Sequence, residues 1–405
     1  MRVLILDGNQ NQAVAAVRSL FQAGHRVLVG DSTSWSKAGW SSKCSQAFQY
    51  PSPSGNAQAF IQRIAELASA EPGTLVLPMT ELTTLPISTH RQVLLAAGAR
   101  LVLPSHESLL RAFDKKQTTE LAASLGIAVP QTWLLDAGDK PHQIALSIRY
   151  PAVLKPRSSE EFSDCAEVRT TGRPRYAGDT KEFLAAYEDI SHRASAILVQ
   201  EYVTGEGTGY FALMRHGKLR AEFAHRRIRD VYPTGSGSAV RISVAPDPEI
   251  REAALAILCA LKWHGVAMVE FRRMKGKPPV FLEVNGRFWH SLALACFAGV
   301  DFPALVAKMA EAGDVESPRV YQTGIRCRWV LGDLRHLVEV WRGAPAGFPE
   351  SYPGRLHTLH AFLTPVRGTK HDLFAWDDPC PEIGDWLSFI RTAWSRYRGS
   401  QRAEC

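Results

Sequence analysis

Short apolar runs alternate with amphipathic stretches over the first hundred residues. Four of these runs are predicted to be buried strands, at 2–7, 26–30, 74–78 and 101–104. A helix is predicted over 13–23, where Gly24 ends it. This alternation is typical of a doubly wound α/β sheet. The loop after the first strand does not carry the Gly-x-Gly-x-x-Gly dinucleotide fingerprint.

A different pattern follows further along the chain, where two apolar strands are joined by a turn. They are predicted at 266–272 and 280–287. Because side chains alternate along a strand, Glu283, Asn285 and Arg287 are expected to share one face. The hairpin sets Glu270 opposite Glu283, and cross-strand neighbours lie roughly 5 Å apart.

Two carboxylates and an amide oxygen at that spacing repel one another unless a cation lies between them. Oxygen ligands of this kind suit Mg²⁺, which is usually completed by substrate phosphates. A nearby arginine would meet the phosphate oxygens. The alternative is a solvated strand edge, but the opposite face of both strands is apolar. The hairpin therefore predicts a magnesium-nucleotide site.

The upstream sequence supplies further nucleotide chemistry. A strand at 150–156 places Lys155 at its end, and another strand at 196–203 ends in Gln200, Glu201, Tyr202 and Val203. Such a strand end offers backbone groups to an adenine edge and a carboxylate to a ribose. Lys115 opens a helix that is predicted to begin after an Asp114 N-cap. Each lysine alone is typical of a solvated surface. Taken together, the lysines, the strand end at 200–203 and the hairpin carboxylates follow one order along the chain at consistent separations.

These motifs resemble those of the ATP-grasp superfamily, both its carboxylate–amine or thiol ligases and its carbamoyl-phosphate-synthase-like and biotin-carboxylase-like members. The resemblance implies an α/β and α+β fold with three parts. They are a Rossmann-like pre-ATP-grasp domain over 1–110, a two-lobed ATP-grasp domain over 111–310 with a small lobe at about 130–203, and a C-terminal extension over 311–405.

The resemblance also implies a role for each motif residue. Lys115 and Lys155 would bind the phosphates of ATP. The adenine and ribose would contact Gln200, Glu201, Tyr202, Val203 and Glu206. Mg²⁺, or alternatively Mn²⁺, would bind Glu270, Glu283 and Asn285. One departure is the segment 157–164, where relatives often have a glycine-rich flap and this chain has no glycine.

An arginine-rich segment lies between the predicted adenine strand and the predicted metal hairpin. A run of arginines is usually a solvated face, but guanidinium also suits carboxylates and phosphates. We expect Arg241 and Arg287 to stabilise an acyl phosphate and its transition state. Glu81 is a candidate for a substrate contact, and one of Arg226, Arg227 or Arg229 is expected to hold a substrate carboxylate. Glu81 has a solvated loop carboxylate as its alternative.

Two histidines accompany these charges. His225 is either a base that contacts substrate or a structural side chain, and His290 is a weaker candidate.

The C-terminal extension ends in a predicted helix from about 383 to 397 with an aromatic stripe. The stripe comprises Trp386, Phe389, Ile390, Ala393, Trp394 and Tyr397. Such a stripe is typical of a core or dimer contact. Peripheral contact with an anionic membrane is the alternative, because arginines flank the stripe.

Composition and charge are those of a folded multidomain enzyme. The chain has 405 residues, of which 45% are hydrophobic and 21% charged. We expect no transmembrane segment and no signal peptide. The seven scattered cysteines indicate reduced thiols and a cytoplasmic location. The net charge of +7 is spread out, so small anionic substrates are expected and nucleic acid is not. A homodimer is the usual expectation.

The predicted function is an ATP-dependent ligase. It would activate a carboxylate as an acyl phosphate and join it to an amine, releasing ADP and phosphate. One alternative is phosphorylation of bicarbonate, as in carbamoyl-phosphate or carboxylase chemistry. A second is an ATP-binding regulatory subunit without turnover, for which the glycine-free flap is the only support.

Overall fold

The N-terminal region of the computed structural model contains a four-stranded parallel sheet in the order β3-β2-β1-β4. The structure describes residues 1–136, 139–158, 160–162, 168–170, 174–192, 194, 196–316, 320–364 and 366–403. The elements of the first region are β1 (Arg2–Ile5), α1 (Asn11–Gln22), β2 (Arg26–Asp31), β3 (Gln46–Gln49), α2 (Pro53–Ser69), β4 (Leu75–Leu77), α3 (Glu81–Thr89), α4 (Arg91–Ala96) and α5 (His106–Phe113). The doubly wound sheet is therefore confirmed.

Two details of this sheet differ from the sequence prediction. Residues 101–104 do not form a strand, and only Arg100 makes an isolated bridge to Leu75. The strand β3 was missed, because both of its terminal glutamines are exposed and the segment has no apolar run. An edge strand of this kind needs only one ladder of hydrogen bonds, so little in its sequence predicts it.

A small lobe follows, built on a sheet in the order β5-β10-β6-β9. Helix α6 (Lys115–Ser124) precedes this lobe and packs on α5 and on the large sheet described next. The elements of the lobe itself are β5 (Thr132–Asp136), α7 (Pro141–Ala145), β6 (Ala152–Pro156), β7 (Glu160–Phe162), β8 (Val168–Thr170), β9 (Arg175–Ala177), α8 (Thr180–Ser191) and β10 (Ala196–Glu201). Strands β7 and β8 form a separate pair. Helix α8 packs Phe183 and Ile190 on this sheet, so the lobe has its own core.

The rest of the chain forms a seven-stranded sheet in the order β15-β14-β11-β12-β13-β16-β17. Its elements are β11 (Glu206–Arg215), β12 (Lys218–Tyr232), β13 (Ser236–Val244), α9 (Pro248–Ala260), β14 (Gly265–Arg273), β15 (Val280–Asn285), α10 (Leu292–Ala298), α11 (Phe302–Ala312), β16 (Arg326–Arg328), α12 (Val330–Arg342), α13 (Arg355–Leu363), β17 (Lys370–His371) and α14 (Cys380–Ala403). The C-terminal extension thus adds two strands to the large sheet. The domain boundaries themselves stay predictions.

The cores show how the parts pack together. One apolar cluster joins α1 of the first region to Phe211, Phe223 and Trp289 of the large sheet. A second cluster lies on the other face of that sheet and includes α5 residues and Trp263. The first region and the large sheet therefore share a core, which fixes the position of loops from both around a common cleft.

Three observations concern the cysteines, the helices and the end of the chain. The five cysteines that the structure describes form no disulfide bond with one another. None of the described helices is by itself long and apolar enough to cross a bilayer, although the bent pair α10 and α11 passes on length and composition. On α14, Trp386 and Phe389 pack against the shared core, whereas Ile390 is 56% exposed. The side chains of Ala393, Trp394 and Tyr397 lie outside the described residues.

Candidate functional site

A cleft between the small lobe and the large sheet holds a cavity of about 360 Å³, which we name the interlobe cavity. Its lining includes most of the residues that the sequence singled out. They are Lys115, Lys155, Gln200, Glu201, Tyr202, Val203, Arg227, Glu270 and Glu283. Residues from five separate segments of the chain therefore converge on one space.

The β14–β15 hairpin supplies the acidic side of this cavity. Glu270 pairs directly with Glu283 across the ladder, which confirms the predicted register. Asn285 donates from its Nδ2 to Glu283 Oε1 at 3.2 Å, and Arg287 donates from its Nη2 to Asn285 Oδ1 at 3.3 Å. These contacts lead from Glu283, which lines the cavity, to Asn285 and Arg287, which are not among its lining residues.

The start of helix α6 and the end of strand β6 supply the basic side of the cavity. Lys115 begins α6, whose Asp114 N-cap accepts from Lys116 N at 3.0 Å and Gln117 N at 3.2 Å. Lys155 lies near the end of β6. Burial lowers the pKa of Lys155 to about 8, although Glu283 and Glu270 favour its charged form.

Charge balance in the cavity is visible in Glu283. Burial alone raises the pKa of this carboxyl, but Lys115 and Lys155 oppose that effect, and the net pKa lies below its usual value. Glu283 is thus an ionised carboxylate between two cations. Such an arrangement offers two cations to the phosphates of a polyanion and a carboxylate to a divalent cation bound with it.

The N-terminal region contributes Glu81, the first residue of α3. Its Oε1 lies 3.8 Å from Arg287 Nε. Burial raises the pKa of Glu81, while Arg287 and Lys115 lower it. Asp7 fixes the start of α3, because its carboxylate accepts from Thr80 N at 2.9 Å and Thr83 Oγ1 at 2.6 Å. Glu81 therefore faces the charged cluster and is not a solvated loop carboxylate.

Gly286 is required where β15 leaves the sheet. A Cβ at this position would lie 2.6 Å from Cη2 of Trp263, which is fully buried. Only glycine lets the backbone pass that ring, and this passage sets the direction of Asn285 and Arg287 on either side.

The end of β10 forms a third wall. Glu201 and Tyr202 are held by backbone bonds, from Glu201 N to Gln131 O at 3.0 Å and from Tyr202 N to Pro151 O at 2.9 Å. Glu206, by contrast, is not among the lining residues of the cavity, and its Oε1 lies 3.8 Å from Arg226 Nη1. The predicted ribose contact of Glu206 is therefore not supported by its position.

The arginines of the arginine-rich segment fall into two groups, one that lines the cavity and one that forms ion pairs elsewhere. Arg227 lines the interlobe cavity, with Nη2 3.1 Å from Glu270 Oε2. Arg229 instead binds Asp333 at 2.7 and 2.8 Å. Arg241 is fully buried and pairs with Asp372.

The structure thus does not bring Arg229 or Arg241 to the cavity, because carboxylates of the C-terminal extension hold both guanidinium groups. Arg226 is on the surface, with a side chain that is 53% exposed.

His225 does not line the cavity either. It is 1% exposed, its Nε2 lies 2.7 Å from Ser291 Oγ, and its ring packs 4.7 Å from that of Phe211. Burial lowers its pKa well below the usual value, with Arg227 adding to the effect. These contacts favour the structural reading of His225. His290 belongs to a different cavity, described below.

Sequence reasoning missed several lining residues. They are Val153, Tyr176, Thr234, Gly235, Ser236, Gly237, Arg272 and Leu282. Arg272 is two residues beyond Glu270 on the same strand, so the period of two was a usable signal. The turn at 234–237 has no such signal, because its approach to the cleft depends on how the β12–β13 hairpin is packed.

The residues fit Mg²⁺ only as part of a nucleotide complex. Among the described residues, no group of three or more His, Cys, Asp or Glu side chains is placed to hold a metal ion. Glu270, Glu283 and Asn285 would supply only part of the coordination shell of a Mg²⁺ ion. Mg²⁺ prefers such partial sites, in which phosphate oxygens and water complete the octahedron.

Within the predicted flap, 157–164, residues 159, 163 and 164 lie outside the described residues. The start of this flap is well fixed. Arg157 binds Asp114 Oδ2 through Nε at 3.1 Å and Nη2 at 2.6 Å, and its carbonyl accepts from Lys115 N at 3.2 Å. The start of the flap is therefore tied to the helix end that carries Lys115.

Comparison with known proteins agrees with this arrangement. A family model described as "ATP-grasp in the biosynthetic pathway with Ter operon" matches residues 193–332. The vancomycin/teicoplanin A-type resistance protein VanA of Enterococcus faecium is 29% identical over 190 residues, which are 43% of this chain and 49% of that protein. A D-alanine–D-alanine ligase of Stutzerimonas stutzeri is 24% identical over 219 residues, or 49% of this chain and 65% of that protein.

Solved structures extend the likeness to most of the chain. The biotin carboxylase domain of Hydrogenobacter thermophilus 2-oxoglutarate carboxylase, in complex with MgADP and bicarbonate, has a TM-score of 0.61 at 16% identity and covers 79% of this chain and 71% of that one. An L-amino acid ligase from Bacillus licheniformis has a TM-score of 0.58 at 16% identity and covers 76% and 73%.

These likenesses show the ATP-grasp fold. The family match adds a similarity to ATP-grasp sequences over residues 193–332. Two of the similar solved structures are biotin carboxylases in complex with MgADP or with β,γ-ATP. The chain spans about half the length of the first relative and 65% of the second.

Proposed function

We propose that this protein is an ATP-dependent ligase that joins a carboxylate to an amine through an acyl phosphate. A carboxylate oxygen attacks the γ-phosphorus of ATP, and ADP leaves. The amine then attacks the acyl carbon, phosphate leaves with the former carboxylate oxygen, and the amine loses a proton. The observation that carries the proposal is the meeting of Lys155, Glu283 and the Gln200–Val203 segment in one cavity.

Each wall of the interlobe cavity has a part in this proposal. The 200–203 segment would bind adenine, and Lys115 and Lys155 would bind the phosphates. Glu270, Glu283 and Asn285 would hold Mg²⁺, which supplies charge to the phosphate oxygens during transfer. Arg287 is the remaining candidate for stabilising the acyl phosphate, and Glu81 at 3.8 Å orients its guanidinium group.

The name of one curated relative, a D-alanine–D-alanine ligase, supports amine-joining chemistry. We also propose that the protein is a homodimer, that it lies in the cytoplasm and that its substrates are small molecules. Peripheral membrane contact by α14 stays a minor alternative.

The test is an assay of ADP and phosphate release with Mg-ATP, pooled carboxylic acids and hydroxylamine as a trap. ADP together with a hydroxamate from one pool would support the acyl phosphate. AMP and pyrophosphate would overturn it, because they indicate an adenylate. ADP release that depends only on bicarbonate would favour the carboxylase-like alternative. ATP binding without release of ADP in any pool would favour the regulatory one.

A further inference from the structure

A second cavity, of about 310 Å³, lies where the N-terminal region meets the C-terminal extension, and we name it the extension cavity. Its lining combines three segments that are far apart in sequence. They are Asn9, Gln10, Asn11 and Lys37 of the N-terminal region, Val231, Tyr232, Gly237 and His290 of the large sheet, and Trp329, Arg335, Asp385 and Ser388 of the extension. Gly237 lines the interlobe cavity as well, so the two cavities adjoin at the β12–β13 turn.

The polar frame of the extension cavity is largely satisfied. Lys37 Nζ lies 2.8 Å from Asp385 Oδ1 and 2.6 Å from Asn11 Oδ1, and both members of the ion pair are only 7% exposed. Trp329 Nε1 donates to Asp385 Oδ2 at 2.7 Å. This frame fixes α14 against the N-terminal region, and the charges of Lys37 and Asp385 cancel.

Three groups in the lining are not satisfied in this way, and one of them is the buried Nδ1 of His290, which has no hydrogen-bond partner among the described residues. Arg335 packs its guanidinium over the rings of Trp329 and Phe389, at 5.9 and 5.7 Å, and has no carboxylate partner within the described part of the chain. Asn11 is 2% exposed, yet its Nδ2 has no hydrogen-bond acceptor among the described residues. The cavity therefore has a net positive charge and a buried donor without an acceptor.

The start of α1 adds to this preference for an anion. The helix has twelve residues, and its N-cap, Gln10, makes no side-chain capping bond. The N–H groups of a first helical turn favour negative charge. Arginine, the amide of Asn11 and a helix start thus point to a carboxylate, whose flat shape also matches guanidinium.

We infer that the extension cavity binds the carboxylate of the amine acceptor, so that the acceptor is an amino acid or a short peptide. The inference rests on the proposed function and refines it. Holding that carboxylate beyond Gly237 leaves the amino group to face the interlobe cavity. It also keeps the acceptor's carboxylate away from the phosphoryl group of ATP, which prevents its activation in place of the donor.

The test compares two nucleophiles in one assay. Hydroxylamine has no carboxylate, so hydroxamate formation reports activation of the donor, while amide product from an amino-acid acceptor reports both steps. The common amino acids are screened as acceptors, and the best one is compared with its own carboxamide. We expect the wild-type protein to prefer the carboxylate form.

Arg335→Gln is expected to raise the KM for the amino acid roughly tenfold or more, since a charge-assisted bond is lost, and to reduce the ratio of amide to hydroxamate accordingly. Asn11→Asp keeps the contact with Lys37 but adds a negative charge to the lining, and should raise the same KM. Arg342→Gln, on the same helix as Arg335 but 69% exposed and paired with Glu339, is the matched control.

The outcomes separate the two proposals. A wild-type protein that yields neither ADP nor hydroxamate overturns the proposed function, and this inference with it. Hydroxamate without any amino-acid acceptor, equal use of the acid and its carboxamide, or an unchanged KM in both cavity variants overturns the inference alone. A raised KM in both variants, with wild-type values in Arg342→Gln, supports it.

Discussion

Two hairpins of the large sheet carry dense charge and use it differently. In β14–β15, Glu270 and Glu283 face each other and line the interlobe cavity. In β12–β13, Arg229 and Arg241 are neutralised by Asp333 and Asp372 of the C-terminal extension. The charges of the first hairpin converge on a space that a ligand can enter. The charges of the second hairpin are paired with carboxylates of the protein itself.

Arg227 belongs to the second hairpin, but its ion pair is with a carboxylate of the first. Its guanidinium spans from β12 to Glu270 at 3.1 Å and lines the interlobe cavity. Arg227 therefore differs from Arg241 in where its carboxylate partner lies. Because Glu270 also lines the cavity, a bound ligand can take its place as the partner of Arg227.

The largest expected effect comes from Glu283, at the centre of the first hairpin. Glu283→Gln keeps the shape of the side chain but removes the charge between Lys115 and Lys155 and one of the oxygens that we propose would bind Mg²⁺. We expect ATP turnover to fall on the order of 100-fold. Stability should change little, because the cost of burying a carboxylate also disappears. ADP release and thermal unfolding, measured on the same preparation, check both parts.

Glu252→Gln is the control for this change, since Glu252 is exposed on α9. It should behave as the wild-type protein in both measurements. Full ATP turnover in Glu283→Gln would show that the hairpin is a solvated edge after all, and would remove the metal assignment of Glu270 and Asn285 with it.

The difference between the hairpins also explains what the sequence could predict. The register of Glu270 and Glu283 follows from a period of two and a short turn, which are both local. The cap at Asp114 and the strand end at Lys155 are local as well. These features predicted most of the interlobe cavity, and the alternating pattern of the N-terminal region predicted its parallel sheet.

The rest depends on contacts between distant parts of the chain. Arg229 and Asp333 are 104 residues apart, and Arg241 and Asp372 are 131 apart. No local pattern pairs them, so all the arginines of the segment looked equally available to a substrate. The extension cavity was missed for the same reason, since Asn11 and Asp385 meet only through Lys37.

The second prediction concerns the ion pair of Arg241 and Asp372, which are 0% and 1% exposed. Asp372→Ala leaves a buried guanidinium without its carboxylate. The free energy of unfolding should fall by about 3–5 kcal/mol, whereas ATP binding by the folded fraction should persist. Urea unfolding and nucleotide titration measure the two quantities.

A double variant, Arg241→Met with Asp372→Leu, serves as the control. It removes both charges, and much of the lost stability should return because no unpaired charge remains buried. If ATP turnover were lost in the double variant while its fold was restored, Arg241 would regain the catalytic role that its position argues against.

The smallest effect is expected at Lys155, whose charge, unlike that of Arg241, depends on pH. Burial lowers the pKa of this lysine to about 8. Below that pH the side chain is a cation, and above it the side chain is neutral. The affinity for ATP should therefore decline as the pH rises through about 8, by no more than roughly tenfold per pH unit for the loss of one proton.

The lowered pKa of Lys155 affects the stability of the free protein in the opposite direction to its affinity for ATP. A lysine whose pKa is lower in the folded state costs stability where it is charged, and that cost fades as the pH rises from about 8 towards the unfolded value. Affinity for ATP and stability of the free protein should thus move in opposite directions over this range. Lys155→Arg, which stays charged, should flatten the affinity profile. A profile that keeps its slope in Lys155→Arg would mean that another group titrates, and the phosphate contact would then pass to Lys115.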